Sequence, residues 1–458
     1  MNGYSNKKAT LTVRQSLSRP QGEKTHAFLI VIGILLLLQD LLAQNLKNIS
    51  LAHTIVKSID ETVPLFLLVL LTLSRIAQGR FLIRTPIDIS LTLYLLISLV
   101  SSFISVVPAI IIISQFVLYI KAFIIYYLLY NLPLTKGIFS DYRKVFFAVG
   151  TGFFLFGLVD LVMPETFRRV TGNVEYIQYL GSLPAVKSLF IHPGVFGWYM
   201  SFLALFCLAY AMYDSRARYF LPGLLFLFGC FLSFRARWIF GVLVSLACGI
   251  LFVRGRKRRT IILTIIPIVL LGAIIIGPSL VDIFQSKIDV YLAVSDPLKV
   301  ARNALYLKSI DVARDYFPLG AGMGRYGSYL SKLYYSPIYE RYGLSQIWGM
   351  SRDFPLFITD TFWPMIVGES GFLGFGLYLF ILLILLKAQI GRVREAAEIQ
   401  IKAFHLGAFM ITVNGIIGSI ADPIFSTAPS SLFILGALGL SAAVSRLPQK
   451  RLFSSADG

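Results

Sequence analysis

Residues 219–253 read YFLPGLLFLFGCFLSFRARWIFGVLVSLACGILFV. Two apolar runs flank one cationic turn, Arg235-Ala236-Arg237. Each run approaches the ~20 apolar residues that carry an α-helix across a bilayer. The hydrophobicity is continuous rather than alternating, which argues against a transmembrane β-barrel. The stretch therefore reads as two membrane helices joined by a tight turn that holds Arg235 and Arg237 at a membrane boundary.

The rest of the chain extends this pattern. Of 458 residues, 57% are hydrophobic and 14% charged, and the mean hydropathy is +0.76. A soluble domain carries far more charge. The formal charge of +19 suits the lysines and arginines of cytoplasmic loops; nothing resembles a nucleic-acid platform or a zinc spacing, so no nucleic-acid partner is expected. The three cysteines, Cys207, Cys230 and Cys248, lie in apolar runs without a CxxC pair. The histidines His26, His53, His192 and His405 are scattered. No metal and no cofactor is expected from these patterns.

The apolar runs predict an all-α polytopic membrane protein with about twelve transmembrane helices. They fall near 27–44, 62–78, 87–106, 109–131, 145–163, 194–213, 219–234, 237–254, 260–280, 356–389, 401–420 and 429–445. The tenth is too long for one straight span. A re-entrant or broken piece is expected around Phe357–Gly368, with Pro364, Gly368, Gly371 and Gly374 permitting the break. Residues 1–26 read as a polar basic tail before a retained first span, not a signal peptide. Residues 27–445 form one transmembrane domain, and 446–458 a second tail.

Basic residues follow every even-numbered span: Arg75, Arg80 and Arg84; Lys136, Arg143 and Lys144; Arg216 and Arg218; the cluster from Arg254 to Arg259; Lys387, Arg392 and Arg394; Arg446, Lys450 and Arg451. With Lys7, Lys8, Arg14 and Arg19 in the N-terminal tail, this predicts both termini in the cytoplasm. Residues 164–193, the turn 234–237 and the long loop 281–355 between the ninth and tenth helices then face outward.

Arg235 and Arg237 consequently face outward, against the usual bias. Arginine near lipid needs a compensating group. One reading is a snorkelling or ion-paired arginine, with Asp160, Asp360, Glu369 and Asp422 as candidate partners. The other is an anionic ligand, since guanidinium forks match phosphate oxygens. The outward stretch KVARNALYLKSIDVARDYFPLGAGMGRYGSYLSK, residues 299–332, reads as a helix, a Pro–Gly break and a glycine-rich turn that aims Arg325 at a cleft. It lacks the ending of a nucleotide phosphate loop. ITDTFWPMIVGESGFLGFGLYLF, residues 358–380, places Asp360 and Glu369 at the membrane boundary, where helix capping and ion pairing compete with function.

Three ordered signals, LSFRARW, ARNALYLKSIDVARDYFPLGAGMGRYG and TDTFWPMIVGESGFLG, resemble the O-antigen ligase and polysaccharide polymerase superfamily of bacterial envelopes, over roughly residues 190–390. The resemblance implies a membrane glycosyltransferase of the C type, acting at the outer face of the inner membrane on a glycan carried by undecaprenyl diphosphate. It assigns diphosphate contact to Arg235 and Arg302, and to Arg237 beside them. Ligases show a histidine nine residues before the Glu of Glu-x-Gly; here Asp360 stands there. That departure favours a polymerase, which transfers glycan to a lipid-linked acceptor, over a ligase acting on lipid A–core or protein. A chain-length regulator and a flippase are partners implied by the resemblance.

In the implied reaction an acceptor hydroxyl attacks the anomeric carbon, and fixed arginines stabilise the departing diphosphate in place of a divalent metal. Asp360 is the candidate base, or equally a neutralising partner for Arg235 or Arg302. Glu369 reads as a structural or substrate-binding group. Arg325, Tyr306 and His192 are expected to line the sugar site, although His192 also suits a helix cap. Tyr334, Tyr335, Tyr339 and Tyr342 suit sugar stacking or an interfacial aromatic belt. Lys121, inside the fourth span, suits a lipid phosphate, snorkelling or a buried ion pair. A transporter of lipid-linked saccharide is the competing class; it would show a repeated half, and no repeat is visible.

Overall fold

The computed structural model describes residues 19–173, 177–213, 217–253, 255 and 300–448. It is almost entirely helical. The first half contains α1 (Arg19–Asn45), α2 (Ser50–Lys57), α3 (Ile59–Ala77), α4 (Asp88–Ile104), α5 (Ala109–Tyr130), α6 (Lys136–Val162) and α7 (Pro164–Val170). A two-residue hairpin, β1 (Tyr179–Leu180) with β2 (Leu183–Pro184), precedes α8 (Pro193–Tyr213), α9 (Ala217–Leu232) and α10 (Ala236–Ile250). Then come α11 (Ala301–Asp315), α12 (Tyr329–Leu333), α13 (Ile338–Arg341), α14 (Trp363–Glu395), α15 (Ile399–Gly418) and α16 (Ser430–Ser445).

Each expected span falls on one of these helices, that over 356–389 only from Trp363, except the span over 260–280, which lies outside the described residues. So do the basic cluster Arg256–Arg259 with Arg254, the basic residues Lys7, Lys8, Arg14, Arg216, Lys450 and Arg451, and the first part of the 281–355 loop. By length and composition α5, α6, α8, α14 and α15 are able to cross a membrane, and five further apolar helices are shorter. Leu73, Phe103, Ile113, Leu155, Phe240 and Leu383 are exposed on helix faces, as a lipid-facing surface requires and a soluble one rarely tolerates. The protein is an all-α membrane protein.

α8 is apolar all round and buried over most of its length, the mark of a central helix. It packs on α9, α15 and α10, while α5 packs on α16. At Gly439 a Cβ would lie 2.4 Å from the Tyr126 carbonyl oxygen, so only glycine allows α5 and α16 to approach this closely. Lys121 is a buried ion pair: its Nζ lies 2.7 Å from Asp60 Oδ2, and Gln39 Nε2 donates to Asp60 Oδ1 at 2.8 Å. That is the pairing expected of a cation in a span.

The described loops sort to two ends. At one, Lys136 pairs with Glu398 at 2.9 Å, Arg143 donates to Gln400, Arg75 donates to the Asn131 carbonyl and Arg446 to that of Tyr130. We call this the basic end. At the other, the α4–α5 turn, the α9–α10 turn, residues 300–362 and the α15–α16 loop touch one another.

The expected break is present, though the piece before it is helical only from Trp363: residues 356–362 are not helical. The interruption is at Gly371, with φ 65° and ψ −169°, one of the glycines expected to permit it. This backbone conformation is essentially restricted to glycine. The chain needs it because the Pro318–Gly320 turn packs directly on the break: Ala321 N–H donates to the Gly368 carbonyl at 2.9 Å and Gly322 N–H to that of Glu369 at 3.0 Å. Carbonyls released by the break are thereby satisfied inside the protein.

Candidate functional site

The α9–α10 turn is built tightly. Ser233 Oγ donates to the Cys230 carbonyl, and Phe234 takes φ +51°. Arg235 precedes α10 in an extended conformation. Trp238 Nε1 donates to the Gly194 carbonyl at 2.8 Å and docks the start of α10 against the start of α8. The two arginines therefore diverge. Arg235 Nη2 donates to Gln178 Oε1 at 3.1 Å and meets His192 Nε2 at 3.4 Å. Arg237 Nη1 donates to the Ala421 carbonyl at 2.7 Å, and its Nη2 forms an ion pair with Asp422.

Arg302 lies in the first turn of α11, and its Nη2 is 2.8 Å from Asp360 Oδ2. Tyr306, one turn on, donates to the Ile420 carbonyl at 2.7 Å. Trp363 Nε1 donates to Ser419 Oγ at 2.9 Å, tying the α15–α16 loop to the start of α14. Arg235, Arg237 and Arg302 thus share one electrostatic neighbourhood with His192, Asp360 and Asp422.

Each of these arginines sits at a helix N-terminus, where the macrodipole already disfavours a cation. Asp422 answers Arg237 and Asp360 answers Arg302. No carboxylate among the described residues pairs with Arg235. Burial, then Arg237, push its guanidinium down to about 10, against the pull of Asp422 and Asp360; it stays a cation at neutral pH. Burial raises the Asp422 carboxyl above its usual range despite Arg237. Burial also raises the Tyr306 hydroxyl to about 12.

His192 lies exposed at the rim, yet packing around its ring, then Arg235, Arg237 and Lys187, push it down to about 4. It is neutral at pH 7. The Gly194 N–H, which can only donate, reaches Nδ1 at 3.0 Å, so the neutral ring carries its proton on Nε2. Arg235 Nη2 and His192 Nε2 then meet donor to donor at 3.4 Å, and neither finds an acceptor in the other.

Four expectations are corrected or narrowed. Glu369 is fully buried; Tyr119 donates to its Oε2 at 2.5 Å and the Tyr326 N–H to its Oε1 at 3.1 Å. It is a clamp between the glycine turn and α14, the structural one of its two expected roles. Arg325 stands apart from the other arginines, its Nη1 3.4 Å from the Ser105 carbonyl at the α4–α5 turn. Tyr335 and Tyr339 are buried in a small separate core with Leu305, Ile338 and Ile358, so neither stacks on sugar nor forms an interfacial belt. Tyr334 remains exposed, and Tyr342 donates to Asp315. Asp160, a candidate partner for Arg235, instead pairs with buried Arg168 at 2.8 Å.

Sequence reasoning missed Gln178 and the Ala421 carbonyl. Neither carries a signal, since an uncharged amide and a backbone carbonyl acquire meaning only through what they face. Among the described residues no group of three or more His, Cys, Asp or Glu is placed to hold a metal. No protein-family model matches the chain, and no curated protein matches it significantly.

Proposed function

We propose that this protein is a membrane glycosyltransferase of the C type that polymerises glycan repeat units carried on undecaprenyl diphosphate, at the outer face of a bacterial cytoplasmic membrane. The carrying observation is the convergence of Arg235, Arg237 and Arg302 from two helix N-termini at the end opposite the basic loops. Positive loops stay inside, so on this reading the cluster faces outward and both termini inward. Arg235, without a carboxylate partner among the described residues, calls for an anionic oxygen, and a lipid diphosphate supplies several.

The acceptor hydroxyl attacks the anomeric carbon of the donor sugar. A C–O bond forms there, the bond to the diphosphate breaks, and the electron pair leaves with the phosphate oxygen. An arriving diphosphate competes for Arg302 and so frees Asp360 from its 2.8 Å ion pair. The released carboxylate takes the hydroxyl proton. Arg235 and Arg302 bear the growing negative charge of the leaving group. Asp422 holds Arg237 in line and keeps the cluster from repelling itself apart. A chain-length regulator and a flippase are the partners this role implies.

The test is complementation of a strain lacking the protein, with the glycan sized on gels. Arg235→Ala and Arg302→Ala are each expected to reduce long-chain product by ~100-fold or more, leaving single repeats and a folded protein in membranes. Long polymer accumulating on its lipid carrier would indicate a ligase instead. Full ladders from both variants would overturn the proposal.

A further inference from the structure

A crevice of about 240 Å³ opens in the membrane-embedded part of the bundle, between α1, α5, α6, α8 and α16. Gly33 and Leu37 of α1 and Phe433 of α16 line its body, and Arg143 is its one charged lining residue among the described residues. It runs along α8 from Tyr199 to Tyr210. The eleven helical steps from one to the other span ~16 Å, about half of a ~30 Å hydrocarbon core. The crevice therefore has the depth of one leaflet.

Its one charged group among the described residues lies at the basic end beside Tyr210, while Tyr199 lies at the other end. The Arg143 guanidinium lies over the Tyr210 ring, 5.4 Å from its centre, and donates to Gln400. No carboxylate among the described residues neutralises it. Tyr210 is 2% exposed, and its hydroxyl faces only the Arg143 guanidinium, which cannot accept its proton. A buried hydroxyl left without a partner carries a desolvation cost. A cation and an unsatisfied donor thus sit at the mouth of an apolar slot one leaflet deep.

We propose that this crevice is a binding site for one anionic phospholipid of the leaflet at the basic end. One acyl chain lies in the slot, its phosphate pairs with Arg143, and its ester oxygens reach the Tyr210 hydroxyl. Charge complementarity selects an anionic headgroup, and the slot's length fits an acyl chain rather than a far longer polyprenyl chain. The site is at the opposite end from the arginine cluster and does not rest on the function proposed above.

The test uses the full chain, purified in mild detergent and equilibrated with mixed micelles of phosphatidylglycerol and phosphatidylcholine in equal amounts, then analysed by native mass spectrometry. One phosphatidylglycerol per protein is expected to survive. Arg143→Gln should reduce the phosphatidylglycerol preference about tenfold, the scale of one charge-assisted hydrogen bond. A Cβ at Gly33 meets nothing within 4 Å, so Gly33→Phe should fill the slot and remove the bound lipid in a folded protein. Equal retention of both lipids by the unaltered protein, or better retention of added undecaprenyl phosphate, overturns the assignment. If Gly33→Phe does not fold, an unchanged preference in Arg143→Gln alone also overturns it.

Discussion

The break in α14 offers the sharpest test of how the outward segment is seated. Gly371→Ala would place a Cβ 2.4 Å from the Pro318 carbonyl oxygen and 2.6 Å from the Gly320 nitrogen. Both are backbone atoms, so no side-chain rotation relieves the contact. Holding a non-glycine residue at φ 65°, ψ −169° costs ~1–3 kcal/mol. Moving the 318–320 turn away would break the bonds from Ala321 N–H to Gly368 and from Gly322 N–H to Glu369, at ~1–3 kcal/mol for each buried group left unsatisfied. The total is roughly 3–6 kcal/mol, since strain and displacement relieve one another in part. Gly376, five residues on, is the control. It has open space around it, and alanine there should be neutral or stabilising by ~0.5–1 kcal/mol. Melting in detergent, followed by loss of the solubilised monomer, measures both. Gly320→Ala meets the Gly371 nitrogen from the other side, so the Gly320→Ala/Gly371→Ala double variant should cost less than the sum of its parts. If Gly371→Ala melts with Gly376→Ala, the packed break is wrong.

Two further predictions concern Lys121 and His192. Lys121→Met leaves Asp60 without its cation and should destabilise by ~3–5 kcal/mol, whereas Lys121→Met/Asp60→Leu should recover most of the loss; equal melting of the single and double variants would contradict the pairing. For His192 the folded pKa of about 4 lies below the 6.5 of an ordinary histidine, so the unfolded chain binds more protons in that interval. Stability should therefore rise as pH increases from about 4 to about 6.5 and then level. The His192→Gln variant should lose this part of the pH dependence in detergent melts, and an unchanged profile would show that the ring is not held neutral.

How far the sequence reaches is clearest at the arginines. That Arg235 and Arg237 need compensation follows from two cations between apolar runs. Asp422 and Asp360 stood among the candidate partners because they flank predicted spans. Their assignment, Asp422 to Arg237 and Asp360 to Arg302, joins residues 185 and 58 positions apart, and local pattern has no access to such distances. Asp160 looked equivalent on the same grounds, yet it is sealed against Arg168. Glu369 and Tyr339 read as boundary residues with chemistry to offer, and packing turned both inward. The glycines of α14 announced a break without its position, because several glycines permit one and only the neighbour that fills the gap selects among them.

The sequence by itself determined that this chain is a helical membrane protein, where its described helices run and which loops are basic. Those properties are sums of transfer free energies and charges counted residue by residue along the chain. Only the tertiary structure decided which carboxylate neutralises which guanidinium, which tyrosines are core and which glycine bends α14. Those outcomes depend on distances between helices, and burial in a low-dielectric interior makes a few ångströms the difference between a satisfied ion pair and a cation such as Arg235 that has no carboxylate partner among the described residues.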